Sequence, residues 1–165
     1  MELKKHEKWK KHLPALGCVL ILTLLFLLLL WRVPFGYDWT DEGYYSVVAY
    51  RFLLGDRPLL DTWEVHQFSG LLALPFLRAY LLFHPSGTDG VLLYFRYVYV
   101  SIQYLIGLYA FHVLKKRSGA VPACIAAAML LCFTHFAING YYYDTMALLF
   151  CVLSALLVFD FLEGG

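Results

Sequence analysis

The sequence predicts an all-α, polytopic membrane protein with about four transmembrane helices and external juxtamembrane helices. Two observations carry this expectation. The composition is 61% hydrophobic and only 15% charged, against the roughly 45–50% apolar and 25% charged residues of soluble domains. Uncharged runs also recur along the chain, and the first, Leu13 to Trp31, comes close to the roughly 20 residues that cross a hydrocarbon core as a helix. The net charge of +1 gives no electrostatic reason to expect nucleic acid, so the placement of charges informs more than their sum.

Residues 1–12 read as a cytoplasmic basic tail and 13–33 as the first transmembrane helix. The tail carries Lys4, Lys5, Lys8, Lys10 and Lys11, and the excess of cations on cytoplasmic segments places the amino terminus inside. A cleaved signal peptide has an apolar region of about 7–15 residues and a small-residue cleavage site. This run is longer and ends Leu30-Trp31-Arg32, as an uncleaved span does.

Residues 34–90 then form an external loop, and 91–165 hold three further spans: Val91 to Leu114, interrupted only by Arg96, then Ser118 to Tyr143, then Thr145 to Phe159. Ser69 to Phe83 is apolar but short, with Arg78 in its middle. A crossing there would put Lys115, Lys116 and Arg117 outside, so the stretch is placed at the interface. The outer face thereby collects Asp38, Asp41, Glu42, Asp56, Asp61, Glu64 and Asp144.

Within the external loop, Asp38 or Thr40 can cap a helix starting near Asp41 and Gly55 can end it. Tyr44, Tyr45, Val48 and Phe52 repeat at helical spacing, giving a surface helix whose aromatics suit the headgroup level. Asp38 and Asp61 are assigned to solvation or capping, and Arg78 to the interface. Cys18, Cys124, Cys132 and Cys151 lie in apolar runs without CxxC spacing, which points to helix packing rather than zinc, redox or disulfide chemistry. His112 and His135, inside spans, read as hydrogen-bonded structural histidines.

The pair Asp41-Glu42 at the start of a juxtamembrane helix is the most suggestive constellation, although acidic residues also favour the positive end of a helix dipole without further purpose. Around it the order is a first span, Asp41-Glu42-Gly43-Tyr44-Tyr45, Gly55-Asp56, Trp63-Glu64-Val65-His66-Gln67, an apolar juxtamembrane helix, Arg96 opening a span, and Asp144 after Tyr141-Tyr142-Tyr143. This order, over about residues 14 to 160, resembles the GT-C membrane glycosyltransferases, in the branch of protein O-mannosyltransferases and the lipid A aminoarabinose transferase. The resemblance implies inverting transfer of a sugar from a polyprenyl-phosphate donor to an acceptor at the outer membrane face. It makes Asp41 the matching general base with Glu42 beside it. Glu64 and Asp144 match acidic positions able to hold a divalent metal ion.

Many relatives follow the acidic residue with Lys-Pro where this chain has His66 and Gln67. His66 and Arg96 are therefore the candidates for donor phosphate. Relatives carry eight or more spans, so the chain is expected to be an amino-terminal portion of such an enzyme. A non-catalytic scaffold or lipid-binding subunit working with a partner membrane protein is the alternative. A small transporter fits less well, since the spans lack paired ionisable residues.

Overall fold

The structure, a computed structural model, describes the backbone of residues 2–36, 42–63, 66–85, 87–134 and 139–164, and side chains from residue 13 onward within those ranges. Its elements are α1 (Glu2–Arg32), α2 (Tyr44–Leu53), α3 (Gln67–Phe83), α4 (Val91–Ser118), α5 (Ala120–Cys132) and α6 (Tyr143–Leu162). Among the described residues there is no strand, only an isolated bridge between Pro58 and Thr62.

Among the described residues three helices are long and apolar enough to cross a membrane: Leu13–Arg32 within α1, Val91–Ser118 and Tyr143–Leu162. The expected span from Ser118 to Tyr143 differs. Among the described residues between α4 and α6 its helix is the 13 residues of α5, which at 1.5 Å per residue cover about 20 Å of a hydrocarbon core about 30 Å thick. The chain turns extended at Phe133, and Asn139-Gly140, a turn dipeptide, lies further on. An unbroken apolar run thus set the wrong helix length. Gly119, at φ 85°, lets the chain reverse between α4 and α5 in one residue, a conformation open to glycine at little cost.

The chain divides into two compact units. One comprises Met1–Trp31, Ser101–Phe133 and Leu149–Gly165. Its core includes Leu22, Phe111, Val113, Ala127, Leu131 and Leu149, all buried. Helix contacts here are close and sparingly polar. Cys18 Sγ meets the Ala120 carbonyl and Cys124 Sγ the Cys18 carbonyl, so these thiols pack α1 against α5, as their apolar setting suggested. Phe26 stacks on Tyr104 at 4.2 Å, and the Tyr104 hydroxyl bonds Thr23 Oγ1 at 2.8 Å. The buried Gln103 amide donates to the Leu130 and Phe133 carbonyls at 2.8 and 3.0 Å, adding a side-chain donor where α5 ends and its last carbonyls lack i+4 partners. Where α4 and α6 end, Lys116 pairs with Asp160 at 2.7 Å and Arg117 with Glu163 at 3.4 Å.

The other unit comprises Arg32–Val100 and Thr134–Leu148. Here α2 packs on α3, burying Tyr45, Val48 and Ala49 from one and Ala73, Leu77 and Tyr80 from the other. Gly70 permits the approach, since a Cβ there would overlap the Val48 side chain. Helix α2 ends as Gly55 predicted. The Gly55 amide donates to the Phe52 carbonyl and the Asp56 amide to the Arg51 carbonyl, with Gly55 at φ 104°, the Schellman arrangement. Its start differs from expectation, because the first helical residue is Tyr44 after Gly43, and the capping residues proposed for it, Asp38 and Thr40, lie outside the described residues.

Candidate functional site

The site residues expected from sequence fall in the unit built from residues 32–100 and 134–148. Asp41 and Glu64 lie outside the described residues. Glu42, His66, Arg96 and Asp144 are described, and each has a definite setting.

Arg96 is on the second turn of α4 and is buried. Its Nε and Nη2 donate to the two carboxylate oxygens of Glu42, with Nη2 to Oε2 at 2.6 Å. Its Nη1 donates to the carbonyls of Val33 and Gly36, both at 3.0 Å. One guanidinium therefore ties the chain just past α1 to the chain just before α2, across the segment that carries Asp41. The fork of the guanidinium matches a carboxylate in two parallel bonds, which a lysine cannot do. The expected phosphate contact of Arg96 thus meets a competitor, Glu42, already seated on it. Beside the pair opens a cleft of about 480 Å³ whose lining includes Pro34, Gly36, Glu42, Thr88, Asp89 and Arg96.

A second cluster joins stretches of sequence that lie far apart. Tyr45, on α2, meets Tyr142 edge-on at 6.2 Å between ring centroids and Tyr143 at 6.0 Å. His66, just before α3, stacks flat on Tyr143 at 3.9 Å and 11°. Quadrupolar rings favour such edge-on and stacked geometries. The aromatic half of Asp41-Glu42-Gly43-Tyr44-Tyr45, the histidine after Trp63 and the tyrosines before Asp144 are thus in contact. His66 also accepts bonds at its carbonyl from the Ser69 amide and hydroxyl, which fixes the backbone from which the imidazole projects.

Asp144 sits in the first turn of α6 and its Oδ1 accepts from the Thr145 amide at 2.8 Å. Thr145 Oγ1 in turn accepts from the Tyr142 amide at 3.1 Å, half of a capping box. Asp144 and Thr145 thus each satisfy one backbone amide where α6 begins. Among the described residues no three His, Cys, Asp or Glu side chains come together as a cation site. The metal expectation therefore rests on sequence alone.

Sequence reasoning missed three participants. Gln67 is buried and its Oε1 accepts from the Leu59 amide at 2.6 Å and the Thr62 hydroxyl at 3.2 Å. Tyr45, expected at the headgroup level, is buried. Tyr141 lies between Phe76 and Phe95, and its buried hydroxyl has no hydrogen-bond partner among the described residues. Only the run of three tyrosines signalled this cluster in advance.

Among the described residues the chain is helical, with three helices long and apolar enough to cross a bilayer and one unit held by polar and aromatic contacts. No protein-family model matches the sequence, and no curated protein or solved structure matches it significantly.

Proposed function

We propose that this chain belongs to a GT-C type glycosyltransferase that moves a sugar from a polyprenyl-phosphate donor to an acceptor hydroxyl at the outer membrane face. The observation that carries the reading is the convergence of separate motifs. Arg96 clamps Glu42 beside Asp41, and His66 and Tyr45 meet the tyrosines that precede Asp144. Random loops of a membrane protein have no reason to gather these stretches.

In this reaction Asp41 accepts the proton of the acceptor hydroxyl, whose oxygen attacks the anomeric carbon while the bond to the donor phosphate breaks and polyprenyl phosphate leaves. A positioned carboxylate base contributes about 10²–10⁴ in rate. Glu42 and Arg96 hold the segment that presents Asp41. His66 and Arg96 are the protein's candidates for the leaving phosphate, with Arg96 reaching it from the cleft it shares with Glu42. Glu64 and Asp144 remain the proposed ligands should the enzyme use a divalent cation.

The amino terminus is proposed to be cytoplasmic and the loop external, with four crossings. The pairs Lys116–Asp160 and Arg117–Glu163 bring the ends of α4 and α6 together. If both helices span, the chain between them must recross, and α5 with the segment after it is the stretch available.

Asp41→Asn in the complete protein, assayed with a polyprenyl-phosphate sugar, tests the reading. The variant should insert normally and transfer sugar at least about a hundredfold more slowly. Near-normal turnover removes Asp41 from the mechanism, and the non-catalytic scaffold predicts that no transfer depends on it.

A further inference from the structure

The turn between α2 and α3 presents large apolar side chains from an unusually well-braced backbone. Leu54, Leu59, Leu60 and Trp63 are 70%, 56%, 64% and 86% exposed. Pro58 and Thr62 bridge across the base of the turn, so Leu59, Leu60 and Trp63 project from one short, closed stretch. Exposed apolar residues scattered singly are ordinary, whereas several on one element mark a contact surface.

The brace shows that this presentation is not slack. Arg51 Nε donates to Asp56 at 2.7 Å and Arg51 Nη2 to the Asp61 carbonyl at 3.2 Å. Arg57 holds Asp61 by its own amide at 2.8 Å and by its guanidinium at 2.9 and 3.1 Å. Gln67 accepts from the Leu59 amide and the Thr62 hydroxyl beneath. Leu59 stands at φ 65° and is the only non-glycine residue with positive φ among those described. Glycine or asparagine takes that conformation far more readily than a bulky apolar residue. A leucine held there and left facing outward calls for a partner that its side chain serves.

We propose that this turn is a membrane-docking element, with Leu59, Leu60 and Trp63 seated in the headgroup and upper acyl region of the outer leaflet. Charge and composition select lipid over a protein partner. The described charged residues that brace the turn, Arg51, Asp56, Arg57 and Asp61, pair among themselves, so none of them is left to offer an unpaired charge to a protein. Tryptophan and leucine beside paired arginines match the interfacial zone, where amphipathic rings concentrate. The apolar surface continues onto α3 through the exposed Phe68 and Leu71. A turn already fixed in shape loses little further freedom on docking. This element does not depend on the sugar-transfer reading, and its test contains no enzyme assay.

The test uses the full chain in phosphatidylcholine vesicles with Trp63 as the sole tryptophan, made by Trp9→Phe, Trp31→Phe and Trp39→Phe. Lipids brominated near the headgroup end of the acyl chain should quench Trp63 strongly, and lipids brominated near the methyl end severalfold less. Aqueous iodide should quench it severalfold less than a free tryptophan amide. Adding Leu59→Ser and Leu60→Ser should restore iodide quenching and shift the emission to the red. Full iodide quenching of the parent would overturn the proposal, and protection from both quenchers would assign the patch to a protein partner instead. Should the triple phenylalanine variant fail to fold, a spin label at Leu60→Cys, with the four native cysteines replaced by alanine, gives the same decision. Oxygen should then relax the label severalfold more effectively than a water-soluble nickel complex.

Discussion

The two units solve the same packing problem with different chemistry. In the unit made of Met1–Trp31, Ser101–Phe133 and Leu149–Gly165, the described helix contacts run through small residues, thiols and one buried amide, with ion pairs where α4 and α6 end. In the unit made of Arg32–Val100 and Thr134–Leu148, a buried guanidinium, paired carboxylates and contacting aromatic rings hold short helices and turns. The first arrangement is what a bilayer solvent rewards, since apolar surface gains little by leaving lipid and close van der Waals contact decides. The second spends polar groups on fixing irregular backbone. Ordinary helix packing does not need that, and a site does. If this contrast is right, single substitutions should act in opposite ways in the two units.

The largest effect is expected at Arg96 and Glu42. Their side chains retain only 9% and 13% of their exposure, so removing one partner leaves the other charged and poorly solvated. Breaking such a pair typically costs about 3–5 kcal/mol. Arg96→Met and Glu42→Gln should each lower the stability of this unit by that order in a reversible unfolding titration. Arg96→Lys should recover only part of it, because an ammonium cannot reach Glu42 and the Val33 and Gly36 carbonyls with one fork. A loss below about 1 kcal/mol for Arg96→Met would place the pair among exposed salt bridges, whose contribution is that small, and the contrast between the units would fail.

A smaller effect separates two glycines. At Gly70 an added Cβ overlaps Val48 and comes within 3.1 Å of Phe52, whereas at Gly107 it meets only the Leu131 side chain, at 3.3 Å, among side chains. Alanine gains about 0.8–1.0 kcal/mol of helix propensity at either position. Overpacking typically costs about 1–3 kcal/mol. Gly70→Ala should therefore destabilise, with Val48→Ala restoring room, while Gly107→Ala should be near neutral as Leu131 yields. Equal effects at both positions, measured by thermal unfolding in the same detergent, would show that the approach of α2 to α3 is no tighter than that of α4 to α5.

Much of the helical outline was legible in the sequence, because uncharged length is a direct readout of what a bilayer accepts. Leu13–Arg32 and the helix beginning at Val91 follow from that alone, and Gly55 marked the end of α2. The length of α5 was not legible. Uncharged side chains from Ala120 to Tyr143 report tolerance of lipid and not where the helix stops, and only Asn139-Gly140 hinted at the break. Within the site, acidic residues could be picked out one by one but their partners could not. Arg96 and Glu42 are far apart in sequence, and nothing local distinguishes an arginine that meets a carboxylate from one that reaches a phosphate. Tyr45 shows the same limit, since helical spacing identified a face but not which side of the helix the protein covers.

The smallest effect, and the most local, concerns the turn after α2. Asp61 is held by the Arg57 guanidinium and amide, and those bonds to its charged form lower its pKa from 3.8 to about 2. A carboxylate whose folded pKa is depressed contributes stability above its unfolded pKa, and that contribution is lost as pH falls through the folded value. The brace should thus be complete at neutral pH and open only as pH falls through about 2. Carbon-13 resonances of labelled aspartate should show one carboxyl titrating near that lower value, and Arg57→Gln should bring it back toward 3.8. The pair is exposed, so the change in global stability should be slight, while the emission of Trp63 should respond in the same pH window. An Asp61 that titrates like a free aspartate would leave the turn without its charged clasp, with Gln67 alone holding the Leu59 amide.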